Sequence, residues 1–81
     1  MLSKEKVSKI RQILKDVFPN DKISENITDL AMGDISSWDS LGNFNLILAI
    51  ETDFGIRFSM EQTTEIKSIA QIIEALETDN V

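Results

Sequence analysis

The sequence predicts an all-α domain: a small bundle of four helices, with a long loop between helices one and two and a short third helix. Three observations predict it. Apolar residues recur at helical spacing in three separate stretches. Ser-x-x-Gln, the pairing that lets two residues cap a helix start reciprocally, occurs twice, at Ser59 to Gln62 and Ser68 to Gln71. Ile56-Arg57-Phe58 alternates like a strand but has no second strand to pair with, so it reads as an extended connector. At 81 residues the whole chain, 1–81, reads as one domain with a core of modest size.

Helix one covers roughly residues 4 to 17, with Val7, Ile10, Ile13, Leu14 and Val17 as its stripe, Ser3 as N-cap and Pro19 as the stop signal. The connection from Phe18 to Asp39 carries Ile23, Ile27, Leu30, Met32 and Ile35, which is too apolar for a free linker. It is expected to lie across the core and to include a short helix capped by Ser24. Helix two runs from about Ser40 to Asp53, with Gly55 placed for a left-handed C-terminal cap. The short third helix opens at Ser59, and the fourth opens at Ser68 with Ile69, Ile72, Ile73 and Leu76 on one face.

Helix two is apolar on two sides. Projected at about 100° per residue, Asn43, Leu46, Ile47, Ile50 and Phe54 fall on one face and are expected in the core. Leu41, Phe44 and Leu48, with Glu51 beside them, fall on the opposite face. That second stripe is either covered by the bundle or an exposed apolar docking surface.

Composition removes several kinds of chemistry. The chain has no cysteine and no histidine, which excludes disulfides, cysteine-bound zinc, the Ser-His-Asp constellation and the usual general base. Fourteen acidic against eight basic side chains give a net charge of −6, unfavourable for nucleic acid and suited to basic partners. Lys4, Lys6, Lys9, Arg11 and Lys15 against Glu5 give residues 1–15 a net +4, leaving −10 for the remainder, a pattern ordinarily explained by a solvated helix face. The residues after Asn20 lack the alternating oxygen ligands of an EF-hand, and paired-carboxylate catalysis needs a cleft that so short a chain has little room to build. No apolar run approaches transmembrane length and no signal-peptide pattern is present, so the expectation is a cytoplasmic protein without membrane insertion; Asn26-Ile27-Thr28 is then a chance glycosylation match.

One motif remains. Trp38-Asp39-Ser40-Leu41 places a serine hydroxyl at the start of helix two, where free backbone N–H groups and the positive end of the helix dipole favour a phosphate. Asp39-Ser40-Leu41, followed by Leu46, Ala49, Glu51 and the Phe54-Gly55-Ile56 exit, with Asp29-Leu30 ahead of it and the run through Ile66 to Leu76 behind, resembles the acyl carrier protein family over more than half the chain. The tripeptide alone is weak evidence; together with the helix and the exit at the right distance it is fairly specific.

The resemblance implies a bundle of acyl-carrier type, not itself an enzyme, with 4′-phosphopantetheine attached to Ser40. A phosphopantetheinyl transferase would supply it from coenzyme A with Mg²⁺. Asp39 would serve as helix N-cap, as a carboxylate for the transferase and its metal, or as both. Acyl groups would ride as thioesters on the arm to acyl-transferring or acyl-activating enzymes of a lipid or specialised acyl pathway. Leu41, Phe44, Leu48 and Glu51 would form the docking face of a monomer. An amino-acid carrier of D-alanyl or peptidyl type and a helical adaptor without a prosthetic group are the alternatives. The chain departs from the family where acidic residues commonly follow the serine, here Gly42 and Asn45, and where a small residue commonly stands, here Trp38. Gly42 is expected to loosen the first turn, and Trp38 to pack against the bundle.

Overall fold

The computed structural model describes residues 4–79. Four helices follow in order: α1 (Lys4–Val17), α2 (Ser40–Phe54), α3 (Met60–Glu65) and α4 (Ile69–Asp79). Among the described residues there is no strand, only an isolated antiparallel bridge between Ala31 and Ser68. The expected all-α architecture of four helices, with the long first connection and the short third helix, is what the chain adopts; Ser3 lies outside the described residues.

α1 buries Ile10, Ile13 and Leu14, with Val7 and Val17 at the edge of the core. It stops at Phe18-Pro19, where proline disfavours helical backbone in the residue before it. Two of its cations are committed to the rest of the chain. Lys9 Nζ donates to the Asp53 carbonyl at 2.9 Å and lies 4.9 Å from the centroid of the Phe54 ring. Arg11 donates to the carbonyls of Ser24 and Ile23, at 2.9 and 3.2 Å. The basic face of α1 is therefore partly a clasp, holding both the end of α2 and the connection against the helix.

The connection 18–39 contains no helix, contrary to the turn expected at Ser24. The Ser24 hydroxyl donates instead to the Asn26 carbonyl at 2.7 Å, while Asn26 Oδ1 accepts from the Thr28 hydroxyl at 2.8 Å and the Thr28 N–H at 3.3 Å. Short polar side chains that bond neighbouring backbone in this way offer it an alternative to helix. Ile23, Ile27 and Ile35 are buried nonetheless, with Leu30 and Met32 packed alongside. Two long-range backbone bonds fix the path: Met32 N–H to the Lys67 carbonyl at 2.7 Å and Ile69 N–H to the Leu30 carbonyl at 2.9 Å.

α2 ends at Gly55, whose φ of 65° is the left-handed cap expected there. Residues 56–58 form no helix or strand; the Ile56 N–H donates to the Glu51 carbonyl at 3.0 Å and the Phe58 N–H to Glu51 Oε2 at 2.8 Å. α3 opens with the full reciprocal cap of Ser59 and Gln62 and buries none of its own residues, being held through Phe58 and Ile66 at its two ends. At α4 the cap differs by one residue from expectation. Ser68 Oγ accepts from the Gln71 N–H at 3.1 Å, but Gln71 Oε1 returns to the N–H of Lys67 at 2.8 Å, so the cap reaches back into the connector. Ile69, Ile72, Ala75 and Leu76 then enter the core, with Ile73 half-buried.

Candidate functional site

Ser40 is the first residue of α2 and is exposed. Its position is set from both sides. Behind it, Asp39 has extended backbone and its Oδ1 accepts from the Gly42 N–H at 2.8 Å, while its carbonyl accepts from the Asn43 N–H at 2.8 Å, which is the geometry of an N-cap. Ahead, no residue of the first turn carries an acidic side chain, so beyond the Asp39 carboxylate nothing on the helix itself offsets the positive end of its dipole. A hydroxyl placed there is accessible, and a phosphate ester on it would sit in a favourable field.

The loop that delivers the chain to Ser40 is anchored by Trp38. Its side chain is buried and stacks on Phe18 with ring centroids 6.1 Å apart, as expected of a packed loop residue. The Trp38 N–H donates to the Ile35 carbonyl at 2.9 Å, and the Trp38 carbonyl accepts from Gly33 at 3.0 Å. Gly33, at φ 101°, has the left-handed backbone that this tight return requires.

The two faces of α2 separate as the helical projection places them. Asn43, Leu46, Ile47 and Ile50 are buried, and Phe54 is half-buried beneath Lys9 rather than in the core. Opposite them Leu41 is 69% exposed, Phe44 51% and Leu48 45%, so the second stripe is an open apolar surface beginning one residue after Ser40. Met60, at the start of α3, is a further exposed large apolar side chain. Glu51 lies along the same side but is half-buried, its carboxylate engaged with the Phe58 N–H. It thereby fixes the connector after α2. An open groove of about 530 Å³ continues from Leu48 past Glu51 and Thr52 to Ile56 and Arg57.

At Gly42 the structure adds a reason that the sequence does not show. The glycine permits a close contact: a Cβ there would overlap the Ser37 carbonyl oxygen and stand 3.0 Å from Phe18 Cε1. The absence of an acidic residue at this position is therefore steric, because the loop ahead of Ser40 packs directly on the helix. Asn45, by contrast, is exposed and free of that constraint.

No protein-family model, curated protein or solved structure matches the chain. The residues alone therefore define what the site can do. Among the described residues no group of three or more acidic side chains is gathered that could hold a metal ion, and no helix is long and apolar enough to cross a membrane. What the arrangement brings together is a capped, exposed serine hydroxyl, a rigidly packed loop before it and an apolar surface after it. The feature missed in the sequence is the pairing of Asn43 with Trp38, whose one available signal was an amide on an otherwise apolar helix face.

Proposed function

We propose that this chain is a carrier domain of acyl carrier protein type, taking 4′-phosphopantetheine on Ser40 and presenting thioester-bound acyl groups to partner enzymes. The observation that carries the reading is the exposure of Ser40 at the capped start of α2, directly beside the exposed stripe of Leu41, Phe44 and Leu48. The bundle of four helices with a long first connection and a short third helix supports it, as does the order of residues from Asp39-Ser40-Leu41 to Phe54-Gly55-Ile56.

The group fits the residues present. A phosphodiester on Ser40 needs a free hydroxyl, a path into solvent and no competing negative charge on the first turn, and each condition is met. The arm would supply a terminal thiol, the only one on a chain without cysteine. The chain's own part is to hold and to orient. Asp39 caps the helix so that the serine stays at its end, and its carboxylate's second oxygen is the one available to a transferase and its Mg²⁺. The apolar stripe offers docking area to the transferase and to acyl-transferring or acyl-activating enzymes, while Ile47 and Ile50 behind it keep the helix fixed to the core.

Intact-protein mass spectrometry after incubation with a broad-specificity phosphopantetheinyl transferase, coenzyme A and Mg²⁺ tests the reading. The expected result is a gain of one phosphopantetheine group, abolished in Ser40→Ala with helical content nearly unchanged. No gain on the wild-type protein would favour a helical adaptor that uses the same stripe without a prosthetic group. Loading with amino acids in preference to acyl groups would assign it instead to the aminoacyl carriers.

A further inference from the structure

We propose that Asn43 is a positioning residue for the modification of Ser40, acting through Trp38; the inference rests on the carrier reading above. Asn43 is the one buried polar side chain among the described residues, 8% exposed. Both ends of its amide are used. Asn43 Oδ1 accepts from Trp38 Nε1–H at 2.9 Å, and Asn43 Nδ2 donates to the Ile66 carbonyl at 2.8 Å. Turning the amide over would set donor against donor and acceptor against acceptor, so a single orientation satisfies both partners.

The two partners lie on different parts of the fold. Trp38 is the second residue before Ser40, separated from it only by the N-cap Asp39. Ile66 is the C-cap of α3. Asn43 itself lies in the first turns of α2, just behind the serine. One amide thus ties the segment entering α2 to the helix it enters and to the end of α3. Because Trp38 cannot swing without breaking this bond or its stacking on Phe18, the backbone reaches Asp39 along one path. The place of the Ser40 Cα and Cβ, and with it the small set of positions the hydroxyl can reach, follows from that path.

Packing alone does not call for these residues. A leucine at position 43 would fill similar space, and a phenylalanine at position 38, though smaller, would keep the stacking on Phe18, without burying two donors and an acceptor whose pairing yields little net stability. What the hydrogen bonds add is placement, which a transfer reaction uses. In the transfer the Ser40 oxygen forms a bond to the coenzyme A phosphorus that carries the pantetheine, the pyrophosphate P–O bond breaks with release of 3′,5′-ADP, and the serine proton passes to the transferase. A serine displaced by a fraction of an ångström from that in-line attack loses rate, while docking on Leu41, Phe44 and Leu48 is untouched.

The test is steady-state transfer kinetics on the full chain with coenzyme A and a transferase, comparing wild type, Trp38→Phe, Asn43→Leu and the double variant. Circular dichroism confirms the helical content of each. The expected result is a fall in kcat of about tenfold or more in each single variant, with KM for the carrier nearly unchanged, and no further fall in the double variant. In the wild-type protein the resonance of the single indole N–H should exchange slowly with solvent, and in Asn43→Leu quickly. Should Asn43→Leu fail to fold, Trp38→Phe, which keeps an aromatic ring against Phe18, carries the kinetic test. Wild-type kcat in the folded variants, a loss confined to KM, or a fast-exchanging indole N–H in the wild type overturns the inference while leaving the carrier reading intact. No mass gain on the wild-type protein overturns the carrier reading and this inference with it.

Discussion

Leu46 and Leu48 stand two residues apart on α2 and have the same side chain, yet Leu46 is 0% exposed and Leu48 45%. The difference lies in phase alone: Leu46 shares its face with Asn43, Ile47 and Ile50 over the core, while Leu48 shares the other with Leu41 and Phe44. Hydrophobicity by itself therefore does not say what an apolar residue of this helix is for. A helix with one apolar face is ordinary for a small bundle; a second face left open beside an exposed serine is area the fold does not need for its own stability.

The comparison breaks first at the core. Ile47→Ala and Ile50→Ala should each cost about 2–5 kcal/mol, since truncating a buried aliphatic removes transfer energy and leaves a cavity. Phe44→Ala and Leu48→Ala should stay near wild type, as surface changes usually do. Thermal melts of the four variants read this directly, and equal large losses at all four positions would mean that the outer stripe is covered in solution.

Gly42→Ala sharpens the same contrast at the helix start. In a helix interior Ala is more favourable than Gly by roughly 0.5–1 kcal/mol. Here the added methyl meets the Ser37 carbonyl, so the sign should reverse to a loss of about 1–3 kcal/mol, typical of overpacking. Chemical denaturation measures it, and a stabilised variant would show that the loop ahead of Ser40 yields easily.

Asn45→Glu should have the smallest effect on stability, within about 0.5 kcal/mol for an exposed site. Its expected effect is on partners. Rim charges set encounter rate and partner choice, and with Gly42 sterically closed to larger residues, position 45 is where an acidic rim can be added. If the chain is a specialised carrier, wild-type holo protein should be a poor substrate for general fatty-acid elongation enzymes, and Asn45→Glu should improve it in a salt-sensitive way. Wild-type turnover equal to that of a general fatty-acid carrier, with no gain from the substitution, would contradict that specialisation.

Features written in local spacing were legible in the sequence. The ends of α2, the Ser59 cap, the 56–58 connector and the phase of Leu41, Phe44 and Leu48 all depend on residues within a turn or two of one another. Features that depend on distant partners were not. The connection 18–39 was recognisable as core-covering from its isoleucines, but its path is set by bonds to Lys67 and Ile69 that no local pattern announces. Gly42 looked like a weak helix residue because the Ser37 carbonyl pressed against it is visible only in three dimensions. Asn43 was placed on the buried face, yet its role depends on Ile66, far along the chain.

The pairing of Ala31 with Ser68 has a consequence for chain entropy. It fixes the later part of the connection, while the earlier part from Ser24 to Asn26 stays exposed. Closing a flexible loop becomes only slowly costlier as it lengthens, by about 0.6 kcal/mol for each doubling. Closure entropy is thus a minor part of what an insertion near Ser24 to Asn26 would cost, since it would also break the bonds from Arg11 and within the Asn26 turn, whereas an insertion between Ala31 and Ser40 would shift the register on which the serine's position depends. Within one loop, the first part is tied to α1 and the last part to the start of α4, so each half is registered against a different helix.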